Sequence, residues 1–544
     1  MNERIDERQR LAAVGRWGLT LVVILGAGGC GIPEVKRGPK MAALAEKLDT
    51  IDTVQLEEKS KSEPVTIEKA TENLAKQIAE PNRPQREIKF TLDEVRAAAL
   101  ANNLDLKVEM IDPAIARENL DIERARYEST FFGSARYGRS DQIDGGAVSS
   151  RRYEAGVTTP LQTGGEITAS VPVTDVGGVS EAAASVSVVQ SLLRGAGTRV
   201  NLYAIQLAAY AQDRVDASTK LRAIYILSEA DIAYWSLYTA RKQLDVSREQ
   251  YKLAQDQLGN ARHKVEAGSA AKIEIIRAES GLASRLDTMI SNETAVRNRE
   301  RDLKRIMNRT DLPLNEQIDM IPMTDPDPKG MELDSEALVA AAMKNRMEMA
   351  VLESQLASND IGVAVAKNNL LPKLDADYTF EAGGVGTSQN RAVRNIFDET
   401  LADHSVGVSA TIPLGNRAAE ARLRQAHLAK VQTQLSRDVL EKDIRQEVYT
   451  AVDGMEQNWR RILAAEQGVG RAFRSYKVEQ SQFQLGQRTS TEVLDAASSL
   501  AEAQVRRIDA YADYEIAQVV LARATGTLLG YGQIRLEPYD ASSP

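Results

Sequence analysis

The sequence predicts a mainly α fold with a β-barrel part: long antiparallel helical hairpins, plus four or more strands, built twice in one chain. Three observations carry this. One phrase occurs twice, GSAAKIEIIRAESGL from Gly268 and GQRTSTEVLDAASSL from Gly486, at an offset of 218 residues. A long-period internal repeat governs architecture more than any local signal. Residues 200–268 and 416–486 contain no proline, so each can form one helix on the order of 100 Å long. Between the helical segments lie stretches that alternate with period 2, as strands do.

Composition agrees. Aromatic residues are only 5% of 544, which favours long helices over compact α/β cores. A net charge of −9 gives no electrostatic reason to expect nucleic acid. Three histidines (His263, His404, His427) lie scattered and there is one cysteine. No nucleophile–base set or metal-ligand spacing emerges, so neither an enzyme, nor a cofactor, nor a metal site is expected.

The N-terminus carries Arg4, Arg8, Arg10 and Arg16, then the 12-residue apolar run GLTLVVILGAGG, then Cys30. A basic region, a short apolar core and small residues describe an export signal over 1–29. The run falls short of the roughly 20 residues a spanning helix needs. Small residues before the sole cysteine resemble a bacterial lipoprotein signal, with Cys30 as the lipidated first residue and Ala27 where Leu is usual. An ordinary cleaved signal with an incidental cysteine is the alternative. One lipid chain holds a protein only marginally, so a second membrane element is expected.

Residues 30–90 carry five prolines, at 33, 39, 64, 81 and 84, and read as a polar, mostly extended leader. A helix starts after Thr91, with Glu94 at the capping-box position. Its segment TLDEVRAAALANNLDLKV pairs with DSEALVAAAMKNRMEMAV from Asp334, at an offset of 243. The repeats therefore cover 91–310 and 334–527, joined by a Pro- and Asp-rich connection at 311–333 and followed by a tail at 528–544. The offset falls from 243 to 218, so the first half holds 25 more residues than the second. LLRGAG around Gly195 pairs with IPLGNR around Gly415, which puts the extra length before Gly195.

In the second half LDADYTFE and SVGVSATIP alternate, with the Gly-rich polar loop EAGGVGTSQN between them. The first half has FFGSARYGR near Phe131, ASVSVVQ near Ala184 and a hairpin-like insert around 153–172. Strands of this length, apolar on one face and polar on the other, are what a transmembrane barrel needs; a half-buried soluble hairpin is the alternative for any one of them. The proline-free helices are studded with charge and cannot span lipid, so they pack on one another in water. Gly454, Gly468 and Gly470 are candidate bends in the second. In the return helix Ile273, Ile276, Leu282, Leu286, Ile290, Val296, Leu303 and Ile306 form a stripe suited to coiled-coil packing. Tyr234, Trp235 and Tyr238 read as helix-packing residues.

The order helix, strand pair, long helix, turn, return helix, twice repeated, resembles the TolC family of outer-membrane efflux and secretion channels. GQRTSTEVLDAASSL and the following helix to LARATGTLL carry the likeness most strongly, and it covers roughly 90–530. LLRGAG and IPLGNR resemble the family's strand-to-helix passages, with Ser191 where Pro is usual. The resemblance implies a homotrimer in which each copy gives four strands to a shared 12-stranded barrel in outer-membrane lipid and its helices to a periplasmic tunnel. The 25 extra residues would be an enlarged outer loop or extra strand length.

The resemblance also implies a gate and docking tip at the two turns. Glu492 and Asp495, three apart and so on one helix face, would form acidic rings, which favour cations. Arg488 would be the linking base and Glu274 the acid from the first half. Phe483 stands where a gate Tyr is expected, without its hydroxyl. Acids after a turn are also simply favourable at a helix N-terminus. Gly268, Ser269, Gly486 and Gln487 form the turns where a periplasmic adaptor would dock. The expected function is an exit duct serving an inner-membrane pump in tripartite efflux or type I secretion. The alternative is an envelope lipoprotein acting as a coiled-coil spacer without a pore, for which alternating strands have no use.

Overall fold

The computed structural model describes residues 86–141, 147–398 and 401–531, with three further positions at 67, 69 and 70. The chain divides into two units, Met1–Arg83 and Pro84–Pro544. The signal over 1–29, Cys30, the leader as far as 85 and the tail from 532 lie outside the described residues, three positions of the leader excepted.

The second unit opens with β1 (Glu87–Phe90) and three helices, α1 (Leu92–Asn102), α2 (Leu104–Glu109) and α3 (Asp112–Ala125). The Thr91 capping box forms as expected: Glu94 N–H lies 3.3 Å from Thr91 Oγ1, and Thr91 N–H donates to Glu94 Oε2 at 2.9 Å. Four strands follow, β2 (Thr130–Asp141), β3 (Ala147–Pro160), β4 (Gly165–Val176) and β5 (Val179–Ser191). After the one-turn α4 (Thr198–Asn201) come the 64-residue α5 (Tyr203–Glu266) and its return helix α6 (Ile273–Met307). The second half repeats the order: β6 (Asp319–Pro322), α7 (Ser335–Asn345), α8 (Met347–Asn368), β7 (Lys373–Gly386), α9 (Gln389–Asp398), β8 (Leu401–Thr411), the 68-residue α10 (Arg417–Gln484), α11 (Ser490–Ala524) and α12 (Leu528–Tyr531). Gly454, Gly468 and Gly470 sit within α10 as one uninterrupted helix. No helix among the described residues is long and apolar enough to cross a membrane.

Strands β2 to β5, β7 and β8 form one antiparallel sheet in that order. Residues directly opposite across antiparallel strands share a face, so the register sorts the side chains. One face is mostly apolar, with Phe131, Ala135, Tyr137, Tyr153, Val157, Ile167, Val171, Val186, Val188, Tyr378, Phe380, Val406 and Val408, and also carries Arg139, Arg151, Asp175 and His404. The other carries Arg136, Arg152, Glu154, Glu166, Thr168, Ser170, Asp375, Asp377, Glu381 and Asp403. Val406 is 80% exposed and Phe131 73%, although both belong to the apolar face.

Three expectations are corrected here. The extra length of the first half is neither a larger loop nor longer strands but an additional strand pair, β3 and β4, and the hairpin-like reading of 153–172 caught its centre. The segment between β7 and β8 is not only a polar loop. It holds α9, whose Ala392 and Ile396 pack on the apolar face against Ala182, with Ala382 and Val173 beside them. Gly384 and Gly386 make room, since a Cβ at Gly386 would lie 2.7 Å from Ala392 N. The stripe of the return helix is only partly buried: Val296, Leu303 and Ile306 are in the core and Leu282 packs with Ile275 against Leu258, Ala261 and Ala278, while Ile273, Ile276 and Ile290 are exposed.

The sequence reading also missed a parallel pair. β1 lies beside β6, Glu87 opposite Asp319 through Phe90 opposite Pro322. Phe90 packs edge-on against Tyr234 at 5.8 Å, and Tyr234 against Trp235 at 5.2 Å. Thr324 N–H donates to the Tyr234 hydroxyl at 2.8 Å. Nearby, Asp231 is fully buried and takes two bonds from Arg96, at 2.8 and 2.9 Å. Burial pushes the Asp231 carboxyl up, against the pull of Arg96.

Removing one partner from a buried pair leaves an uncompensated charge. Arg96→Met should therefore cost about 3–5 kcal/mol at neutral pH. Without Arg96 the folded-state pKa of Asp231 rises further above its unfolded value, so stability is lost as pH rises through it. The variant's deficit should be smaller at pH 5 than at pH 8, measured by denaturation in detergent; an equal deficit would place the effect elsewhere.

Candidate functional site

The two turns at the far ends of α5 and α10 are built by the same local chemistry. Gly268 and Gly486 have φ of 71° and 75°, a region glycine enters without the Cβ penalty. Ser269 N–H donates to Lys264 O at 2.9 Å and Gln487 N–H to Gln482 O at 2.9 Å. These are the 6→1 bonds that close a helix end when its next residue is left-handed. Their first role is thus to satisfy orphan carbonyls.

The return helices start differently. α11 has a full capping box: Thr489 N–H donates to Glu492 Oε2 at 2.7 Å, and the Thr489 hydroxyl faces the Glu492 N–H. At the matching place before α6 stands Ala271, and no side chain caps that helix. Arg488 contacts Glu492 at 2.7 Å, Glu479 at 3.2 Å and the Gln482 side chain at 2.9 Å. The Thr489 backbone N–H, then the Arg488 guanidinium, hold the Glu492 carboxyl below its ordinary range. Glu492 is therefore both helix cap and ion-pair partner. Asp495 is exposed and has no ion pair or hydrogen bond among the described residues. In the first copy Glu274 pairs with Arg277 at 2.8 Å, and Arg277 occupies the place of Asp495.

Two contacts join the tips of the hairpins, and sequence reasoning missed both. Lys264 Nζ of α5 lies 3.5 Å from the centre of the Phe483 ring of α10 and 3.4 Å from its carbonyl oxygen. Gln257 Nε2 of α5 donates to Ser490 Oγ of α11 at 2.7 Å in a buried position. Leu253 packs beside Tyr476, Val493, Ala497 and Leu500. Phe483, lacking a hydroxyl, thus serves a cation–π contact. Only the spatial adjacency of the two hairpins brings these residues together, and no local pattern signals it.

Away from the tip, the chain presents two exposed apolar stripes at helical spacing. Leu104, Val108, Ile111, Ile115 and Ile122 run along α2 and α3, which lead into β2. Leu428, Val431, Leu435 and Val439 run along α10, which leaves β8. β2 and β8 are also the two edge strands of the sheet. Each edge of the sheet thus combines a strand open on its outer side with an apolar helix stripe.

Residues 338–527 match the outer membrane efflux protein family. The chain is 22% identical over 446 residues to the outer membrane efflux protein BepC of Brucella suis biovar 1, covering 82% of this chain and 87% of that one. It is 26% identical over 196 residues to the outer membrane protein TolC of Vibrio cholerae, covering 36% and 44% respectively. Its fold is similar to the crystal structure of the Campylobacter jejuni CmeC outer membrane channel, with a TM-score of 0.62, 15% identity, and 89% of this chain and 91% of that one covered.

Lys264→Ala should loosen the tip without unfolding it. A cation–π contact is worth about 0.5–1 kcal/mol at an exposed site, or about a two- to five-fold change in a local opening equilibrium. Amide hydrogen exchange over 483–490 should rise by that factor. Unchanged exchange would mean that the contact holds nothing.

Proposed function

We propose that this chain, a TolC-like outer-membrane efflux protein with a large periplasmic part, works as a homotrimeric exit duct. Cargo enters from an inner-membrane pump through a periplasmic adaptor and leaves passively to the exterior. The observation that carries the reading is the sheet with one mostly apolar and one mostly polar and charged face, continuous with helices of 64 and 68 residues. Hydrocarbon accepts the first face, and a charge turned to it costs about 2–4 kcal/mol at the bilayer midplane. The charged face must therefore line water. A coiled-coil spacer has no use for such a sheet.

The edges support ring closure. Each copy has an open strand at either side, and an open edge cannot stand in lipid. The stripe on α2 and α3 of one copy suits the stripe on α10 of the next. The repeats at 91–310 and 334–527, joined by 311–333, supply the tunnel walls. The tip turns at Gly268, Ser269, Gly486 and Gln487 offer the adaptor its docking surface. An export signal over 1–29 with a lipidated Cys30 completes this reading.

At the tip, Asp495 is the carboxylate free to act on the pore, and three copies of it form one ring. Glu492 adds to that ring mainly by holding the turn, and Glu274 is neutralised by Arg277. Arg488 and Phe483 secure the closed arrangement. The duct is expected to conduct when the pure protein is placed in a lipid bilayer, with block by divalent cations from the tip side. Asp495→Ala should remove most of that block, roughly tenfold in blocking concentration for a loss of about 1.4 kcal/mol per bound ion. Glu492→Ala should instead raise tip exchange. Unchanged block in the double variant would take both residues out of the gate, and a protein without conductance would sink the duct.

A further inference from the structure

We infer that each protomer supplies six strands to the membrane wall, so that three copies close an 18-stranded barrel rather than the 12-stranded one the family resemblance implies. This rests on the trimeric duct reading for the number of copies. The strand count per copy rests on the sheet alone.

The inserted pair β3 and β4 behaves as wall. It lies inside the sheet, between β2 and β5, which are not hydrogen-bonded neighbours. β3 pairs with β2 from Thr130–Thr158 to Asp141–Ala147, and β4 pairs with β5 from Gly165–Gln190 to Val176–Val179. Folding the pair away would strip hydrogen bonds from two strands at once. Its faces continue those of the sheet. Tyr153, Ala155, Val157, Ile167, Ala169 and Val171 extend the apolar face, while Arg152, Glu154, Glu166, Thr168 and Ser170 extend the polar one.

The turn between the two strands is also locked into the strand-to-helix passage. Gly197 N–H donates to Thr163 O at 2.9 Å, and the Gln190 amide donates to the same oxygen at 3.1 Å. The Thr163 hydroxyl donates to Gln190 Oε1 at 2.8 Å. Gly164 has φ of 89° and faces Gly195 O so closely that no side chain fits. A loose insertion needs none of this.

Barrel diameter grows about linearly with strand number. At equal tilt, six strands per copy widen the barrel by about 1.5-fold and its cross-section by about 2.2-fold over four. The α9 helix lies on the apolar face, so it leaves the lumen clear. The membrane part would then pass wider cargo than a 12-stranded wall would.

Two measurements test this. Electron cryo-microscopy of the purified protein should show three-fold rings with 18 strands. Three-fold rings with 12 strands would overturn the inference and leave the duct standing. Rings of another copy number would overturn the trimer, and the total of 18 with it. The second test places single cysteines at T168C, S170C, A169C and V171C in the full chain reconstituted in vesicles. A membrane-impermeant maleimide should label the first two at least tenfold faster than the last two. Equal labelling of all four would show that β3 and β4 lie outside the wall, whatever the copy number.

Discussion

The constraint on which the rest depends is that a sheet in lipid must have no free edge. Every backbone N–H and C=O in hydrocarbon needs a partner, and this protomer ends in two strands, β2 and β8, that lack one on their outer sides. In the proposed duct, further copies would meet those two edges. The helix before β2 and the helix after β8 carry the exposed apolar stripes, so the edge that must close in lipid continues into an edge that gains from closing in water. An even strand number per copy returns every connection between barrel and helices to the same side, and six preserves this as well as four does.

The passages between strand and helix bear the geometric load. At the first, Ser191 donates to Asp375 at 2.9 Å, and Leu192 N–H to Leu374 O at 2.7 Å. A proline at Ser191 would offer no hydroxyl to Asp375. At the second, the Asn416 amide donates to Leu370 O at 2.9 Å. Each passage is thus fastened to the segment that enters the sheet beside it. This fixes where the twisted wall ends and the helix pair begins.

Much of this was legible in the sequence, for physical reasons. The duplicated phrase placed both turns, because glycine at a left-handed helix end and a following helix start are local chemistry. The absence of proline gave both long helices. The strands of the second half were clear because Tyr378, Phe380, Val406 and Val408 alternate with polar residues. The inserted pair was half-hidden, since Gly156, Thr158, Thr159 and Pro160 blur the alternation. The pairing of β1 with β6 was invisible: four residues without pattern find their partner across the whole first repeat. At the tip the capping and ion-pairing of Glu492 were not readable, nor that Asp495 stands without an ion pair or hydrogen bond among the described residues. The difference turns on Thr489, whose counterpart Ala271 cannot cap.

The pairing of β1 with β6 has a temporal consequence. Leu92 N–H bonds to Thr324 Oγ1 across 232 residues, and the strand pair just before it spans as far. Contacts of such separation form late, because the intervening chain must first be brought together. β1 has no partner until the whole first repeat and its connection have been delivered. Until then the edge of β1 that pairs with β6 stays open. The β1–β6 pair is therefore among the last parts of the first repeat to form.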